Sequence, residues 1–128
     1  MPPYDSTWFS PAAPLARVTL RNPANNATRQ SVPMLLDTGA DVTLIPREAA
    51  GPMGLTATPA QSYELVGFDG SITLAPVVQL ELVLGRRAFR GQFLLVDQPW
   101  GIIGRNILNA LSLYLDGPRL IWEERQLP

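Results

Sequence analysis

A closed, mostly antiparallel barrel of short β-strands is the architecture this sequence predicts, and three observations lead to it. Apolar runs are short, and they either alternate with polar residues or are rich in leucine and β-branched side chains, which suits strands. Turn-forming clusters recur at close intervals, as in Asn22-Pro23-Ala24-Asn25-Asn26, Gly85-Arg86-Arg87 and Asp116-Gly117-Pro118. Only residues 105–111 carry apolar side chains at convincing helical spacing, at Ile107, Leu108 and Leu111, so one short C-terminal helix is expected. Strands that outnumber helices by this margin must bury their apolar faces against one another, and closing the sheet removes its exposed edges.

Taken in order, residues 1–14 place Pro2, Pro3, Pro11 and Pro14 among Tyr4, Trp8 and Phe9, which forbids a regular helix or central strand. An extended N-terminal arm is expected, either frayed or packed through its aromatics on the body or on a second subunit. The remaining residues, 15–128, form the domain proper. Residues 15–21 alternate Val18 and Leu20 against Arg17, Thr19 and Arg21, and residues 29–36 return after the asparagine-rich turn. Val42-Thr43-Leu44-Ile45 reads as a strand stopped by Pro46, and residues 46–50 as a helical turn with proline first, ended by Gly51 and Pro52. Residues 61–66 and 71–74 flank Gly67-Phe68-Asp69-Gly70 as the arms of a hairpin. Residues 77–84 set Gln79 and Glu81 against Val78, Leu80 and Leu82, the pattern of a half-buried strand, and residues 88–96 return to the breaker Asp97-Gln98-Pro99. Ile102 and Ile103 make a short strand before Gly104. After the helix, residues 112–115 and 120–122 form a last hairpin.

Composition narrows the chemistry. The chain has 128 residues, enough for one domain that buries roughly two thirds of its unfolded surface. A net charge of −1 with 16% charged residues offers no basic face for nucleic acid. Without cysteine or histidine there is no disulfide framework, no thiol catalysis, no conventional serine or cysteine triad and little scope for zinc. All the basic residues are arginines, so lysine chemistry is excluded too. No signal-peptide pattern opens the chain and no run approaches the roughly 20 apolar residues of a membrane span, so a soluble, cytoplasmic protein without a membrane partner is expected. What remains is carboxylate chemistry.

The stretch Met34-Leu35-Leu36-Asp37-Thr38-Gly39-Ala40-Asp41-Val42-Thr43-Leu44-Ile45 delivers a carboxylate from the end of a buried strand into a bend. A carboxylate there is costly unless it is hydrogen-bonded or chemically used. Asp37-Thr38-Gly39 after an apolar strand, followed much later by Trp100-Gly101-Ile102-Ile103-Gly104-Arg105-Asn106-Ile107-Leu108, resembles the retroviral-type (retropepsin-like) aspartic proteases of the pepsin/retropepsin clan, over roughly residues 31–115.

That resemblance implies an acid-protease barrel with a flap, and an endopeptidase without metal or organic cofactor that cuts extended polypeptides. Single-domain members are homodimers in which each subunit supplies one aspartate, and Asp-Thr-Gly occurs once here. The catalytic residues implied are Asp37, Thr38 and Gly39, with the Thr38 hydroxyl bonding across the two-fold axis and Gly39 letting its backbone approach the carboxylate. Substrate would be held by Ala40, Asp41, the flap tip Gly67, Phe68, Asp69 and Gly70, and the apolar wall Ile102. Asp69 departs from the glycine or apolar residue usual at a flap tip. Arg105 would support the site by gripping Asp41 with its planar guanidinium. Trp122 and the arm around Trp8 are candidates for apolar dimer contacts. A non-catalytic dimerisation or peptide-binding module of the same fold is the alternative reading, and an unrelated monomeric barrel for a small ligand is a third.

Overall fold

Residues 1–55, 62–66 and 69–126 of this computed structural model are described. They form β1 (Tyr4–Asp5), β2 (Ala13–Arg21), β3 (Thr28–Leu36), β4 (Leu44–Pro46), α1 (Arg47–Ala50), β5 (Ser62–Val66), β6 (Ile72–Leu84), β7 (Arg87–Val96), β8 (Gly101–Ile103), α2 (Arg105–Leu108), β9 (Leu113–Asp116) and β10 (Ile121–Glu124). The class is all-β, as predicted.

Strand pairings close on themselves in the cycle β2, β3, β8, β4, β7, β6 and back to β2, while β1 extends from β2 and β5 from β6. Most pairs are antiparallel. The two parallel pairs, β3 with β8 and β4 with β7, both lie beside the Asp37 bend. The inward residues fill the interior: Val18 and Leu20 from β2, Met34 from β3, Ile45 from β4, Leu80 and Leu82 from β6 and Ile103 from β8 are all buried. Between Leu80 and Leu82, Glu81 points outward and joins neighbouring strands, accepting from Arg21 Nε at 3.1 Å and lying 3.4 Å from Arg90 Nη2. Ion pairing thus reinforces the β2–β6 contact that closes the cycle.

Four expectations are corrected. First, residues 71–74 and 77–84 are not separate strands, because β6 runs unbroken through Pro76. Pro76 is opposite Ser62 of β5 and the next residue, Val77, is opposite Leu94 of β7, so the proline without an N–H falls where one partner strand gives way to the next. Second, the turn after Pro46 does not stop at Gly51; a 3-10 turn, Gly51–Met53, follows α1 and ends at Gly54 with φ +73°. Third, α2 covers only Arg105–Leu108. Its continuation is a tighter turn in which the Ala110 and Leu111 N–H groups donate to the Ile107 and Leu108 carbonyls, reversing the chain toward β9.

Fourth, the candidates for dimer contacts are engaged within the chain, and of the alternatives left open for the N-terminal arm, packing on the body is the one formed. Tyr4 and Asp5 pair with Pro14 and Ala13, the Tyr4 N–H donates to the Leu120 carbonyl at 2.7 Å, and the Trp122 N–H donates to the Pro2 carbonyl at 2.9 Å. Trp8 and Phe9 pack on Trp100 with ring centroids 5.7 and 5.0 Å away. Trp122 itself is 4% exposed, and its indole N–H donates to the Leu15 carbonyl at 3.0 Å. It is a core residue of its own chain and cannot serve as an exposed dimer contact.

Candidate active site

Asp37 stands where β3 ends. Register between β3 and β8 runs Met34–Gly101, Leu35–Ile102 and Leu36–Ile103, and the Asp37 N–H continues it by donating to the Ile103 carbonyl at 3.0 Å. The chain then turns: the Ala40 N–H donates to the Asp37 carbonyl at 3.2 Å, and the Gly39 N–H donates to Asp37 Oδ1 at 2.8 Å. A Cβ on Gly39 would stand only 3.1 Å from that same oxygen, so glycine admits the close backbone approach. Asp37 is half-buried, while Thr38 and Gly39 are exposed. The carboxylate is therefore fixed in direction by a backbone donor yet open on its outer side.

The strand β8 slots between β3 and β4, the two strands that the Asp37 bend joins, with Ile102 opposite both Leu35 and Leu44. This close threading explains the glycines around it. A Cβ at Gly104 would collide with the Val42 backbone, and one at Gly101 with the Met34 side chain and the Leu44 carbonyl.

Hydrogen bonds then lock the bend to the segment after β8. The Arg105 N–H donates to the Ala40 carbonyl at 2.8 Å, and Arg105 Nη1 donates to the Thr38 carbonyl, also at 2.8 Å. Thr43, 1% exposed, accepts from the Gly104 N–H at 3.1 Å and donates its hydroxyl proton to Asn106 Oδ1 at 2.7 Å. Thr43 and Asn106 were not among the site residues predicted. Their signals were a lone hydroxyl inside the apolar run from Val42 to Ile45 and an amide beside Gly104-Arg105, since a buried polar atom needs a partner. With Val42, Gln92 and Leu94 they line a cleft of about 190 Å³.

The expected Asp41–Arg105 ion pair is not formed. Arg105, positioned by its main-chain bond to Ala40, spends its guanidinium on Thr38, and Asp41 is exposed, where water solvates a carboxylate at little cost. Arg105 still supports the bend, through a carbonyl and not through a carboxylate.

Of the flap-tip residues, Gly67 and Phe68 lie outside the described residues. Asp69 and Gly70 are exposed, and Asp69 Oδ1 accepts from the Ser71 N–H at 2.9 Å. Hydrogen bonds from the Ser71 side chain and backbone hold the Asp69 carboxyl below its ordinary value, so it is a charged, self-contained turn. The arms of this hairpin are β5 and the first part of β6, from Val66 opposite Ile72 to Ser62 opposite Pro76. Leu65, one pair from the tip end of the arms, packs with Val42 and Leu44 on a small cluster of Ala75, Val77 and Leu94, which joins the hairpin to the Asp37 side of the molecule.

Among the described residues no group of three His, Cys, Asp or Glu side chains could hold a metal ion, and no helix is long and apolar enough to cross a membrane. The arrangement offers one oriented carboxylate and backbone donors, with a hairpin packed through Leu65 on the cluster that includes Val42 and Leu44. The family model for retroviral aspartyl protease matches residues 12–116. The chain belongs to that family. Family membership and fold together support aspartic-type proteolysis, a hydrolase activity, as the general chemistry. The fold is also similar to that of EIAV protease solved in complex with the inhibitor HBY-793, with a TM-score of 0.57 at 20% identity over 83% of this chain and 91% of that one. The family match spans both the Asp37 bend and the Gly104-Arg105-Asn106 clasp and ends at the last residue of β9, so β10 with its buried Trp122 lies beyond it.

Proposed function

We propose that this protein is an aspartic endopeptidase, active as a homodimer in which Asp37 of each subunit supplies half of the catalytic pair. The observation that carries the reading is the half-site itself. Asp37 is oriented by the Gly39 N–H, open toward solvent and flanked by an exposed Thr38, and the sequence holds no second Asp-Thr-Gly. Peptide hydrolysis by carboxylates needs one that is ionised and one that is protonated. Two such groups brought within about 3 Å cannot both ionise and share a proton, the established behaviour of aspartic proteases.

In the mechanism we infer, the ionised Asp37 takes a proton from water as its oxygen attacks the peptide carbonyl carbon. The protonated partner Asp37 gives its proton to the carbonyl oxygen, forming a neutral gem-diol. Proton transfer to the amide nitrogen then breaks the C–N bond and releases the amine and the carboxylic acid. Thr38 and Gly39 shape the bend at the axis. Ala40, Asp41 and Ile102 border the peptide, and the hairpin tip with Gly67, Phe68, Asp69 and Gly70 closes over it, adding backbone hydrogen bonds as an extra strand would. No metal or cofactor enters.

The test is Asp37→Asn, nearly isosteric but unable to act as a base. It should lower kcat by roughly a thousandfold or more on an unstructured protein substrate while leaving the circular dichroism spectrum unchanged. Wild-type turnover by the folded variant would rule the mechanism out.

A further inference from the structure

We infer that Trp8 and Phe9, on the loop between β1 and β2, form with Trp100 an aromatic wall of the substrate groove that selects an aromatic side chain a few residues from the cut. This rests on the endopeptidase reading above and adds a specificity element to it. The family match begins at residue 12, so Trp8 and Phe9 lie outside it. The loop that carries them is fixed. Tyr4 and Asp5 pair with Pro14 and Ala13, and the Trp8 N–H donates to Asp5 Oδ2 at 2.8 Å. Phe9 meets Trp100 edge-on, with ring planes at 71°, and Trp8 lies against the same indole at 30°. Phe9 and Trp100 are half-buried, whereas Trp8 is 39% exposed. A ring held in place in this way gives up little freedom when a further ring packs on it.

The place of Trp100 relative to Asp37 gives the exposed ring a use. Met34, Leu36 and Ile103 are buried, and the residues that alternate with them, Leu35, Asp37 and Ile102, are half-buried on the other side of the paired strands. Trp100 stands two residues before Ile102 on that line. With a strand rise of about 3.3 Å per residue it lies roughly 13 Å from Asp37, so a substrate side chain about two to four positions from the cut reaches the cluster. The acidic residues nearest the cluster in sequence, Asp5 and Asp97, are already engaged, by the Trp8 N–H and by Arg47 Nε at 2.6 Å. An aromatic ring therefore suits the cluster better than an arginine, which would seek a counter-charge. In the homodimer the two-fold axis repeats the wall, once on each side of the cut.

Cleavage of a mixed-sequence peptide library, read by mass spectrometry, tests this. Sites cut by wild type and by Trp8→Phe should be enriched in Phe, Tyr or Trp at that distance from the cut, and the enrichment should disappear in Trp8→Ala. Two peptides that differ only by Phe or Ala at the enriched position then separate recognition from structure. Trp8→Ala should lower kcat/KM for the Phe peptide by roughly three- to tenfold more than for the Ala peptide, the contribution of one aromatic contact. Equal losses on both peptides would make Trp8 a structural residue and overturn the inference. Wild type that cuts the two peptides equally well, or a library enriched in arginine in place of aromatic residues, would also overturn it and leave the endopeptidase reading standing. Absence of cleavage throughout the library would remove that reading and this inference together.

Discussion

The Asp37 bend and the flap hairpin are both loops between strands, but they are held in opposite ways. Around Asp37, backbone and side-chain bonds from Ile103, Gly104, Arg105 and Asn106 converge on one short segment, and β8 threads so closely that glycine is required. The hairpin of β5 and early β6 has one partner strand on each arm, the other arm, and it leaves Val66, Ile72 and Leu74 at 72%, 63% and 64% exposure. One region stores its binding energy within the subunit. The other keeps apolar surface uncovered, to be satisfied only when something lies beneath it. A peptidase needs both, a carboxylate fixed to within a fraction of an ångström and a cover that can admit a chain.

Substitutions can break that contrast. The largest effect should come from Gly104→Ala, where the new methyl meets the Val42 backbone in a bend that the Gly104–Thr43 hydrogen bond holds against it. We expect destabilisation of about 3 kcal/mol or more, measured by urea unfolding, with activity lost. Thr43→Val keeps the shape but leaves the Gly104 N–H and the Asn106 amide oxygen without their partner. It should cost about 1–3 kcal/mol and reduce kcat. On the hairpin, Ile72→Ser should move stability by no more than about 0.5 kcal/mol, because the side chain meets water in the subunit, and, on the function proposed above, it should raise KM. Equal losses of stability at Thr43 and Ile72 would erase the distinction.

Much of this was legible from the chain. Alternation in residues 77–84 and the turn at Gly85-Arg86-Arg87 anticipated a strand that returns over 88–96, and β6 and β7 do pair there, Val77 opposite Leu94 through Leu84 opposite Arg87. Asp37-Thr38-Gly39 was legible because its three residues are adjacent. The clasp was not, since Thr43 and Asn106 are 63 positions apart and neither is unusual alone. Hydrophobicity could not tell core from interface, and so Trp122 was placed at a surface that it does not reach. Nor could charge alone pair Arg105 correctly, because the choice between Asp41 and the Thr38 carbonyl depends on where the Ala40 bond sets the main chain.

The smallest effect expected is electrostatic and lies far from both regions. Hydrogen bonding from Arg21 holds the Glu81 carboxyl below its ordinary value; burial opposes it, and the charges of Arg21 and Arg90 add to the lowering. A carboxyl lowered in the folded state contributes stability above its unfolded value and loses it as pH falls through the folded one, so the contribution should fade below about pH 4.5. Glu81→Gln should flatten that part of the acid unfolding profile and leave stability near neutral pH slightly reduced. An unchanged acid limb would mean that the Arg21–Glu81 contact contributes nothing to closing the strand cycle.

The central claim is that each chain holds half of a site. Specific activity should be followed together with sedimentation as the protein is diluted, and again after mixing with Asp37→Asn. Activity per subunit should fall in step with the loss of dimer, and an equal amount of the variant should cut activity per wild-type subunit to about half through random pairing. Constant specific activity from a species that sediments as a monomer, unaffected by Asp37→Asn, would contradict it.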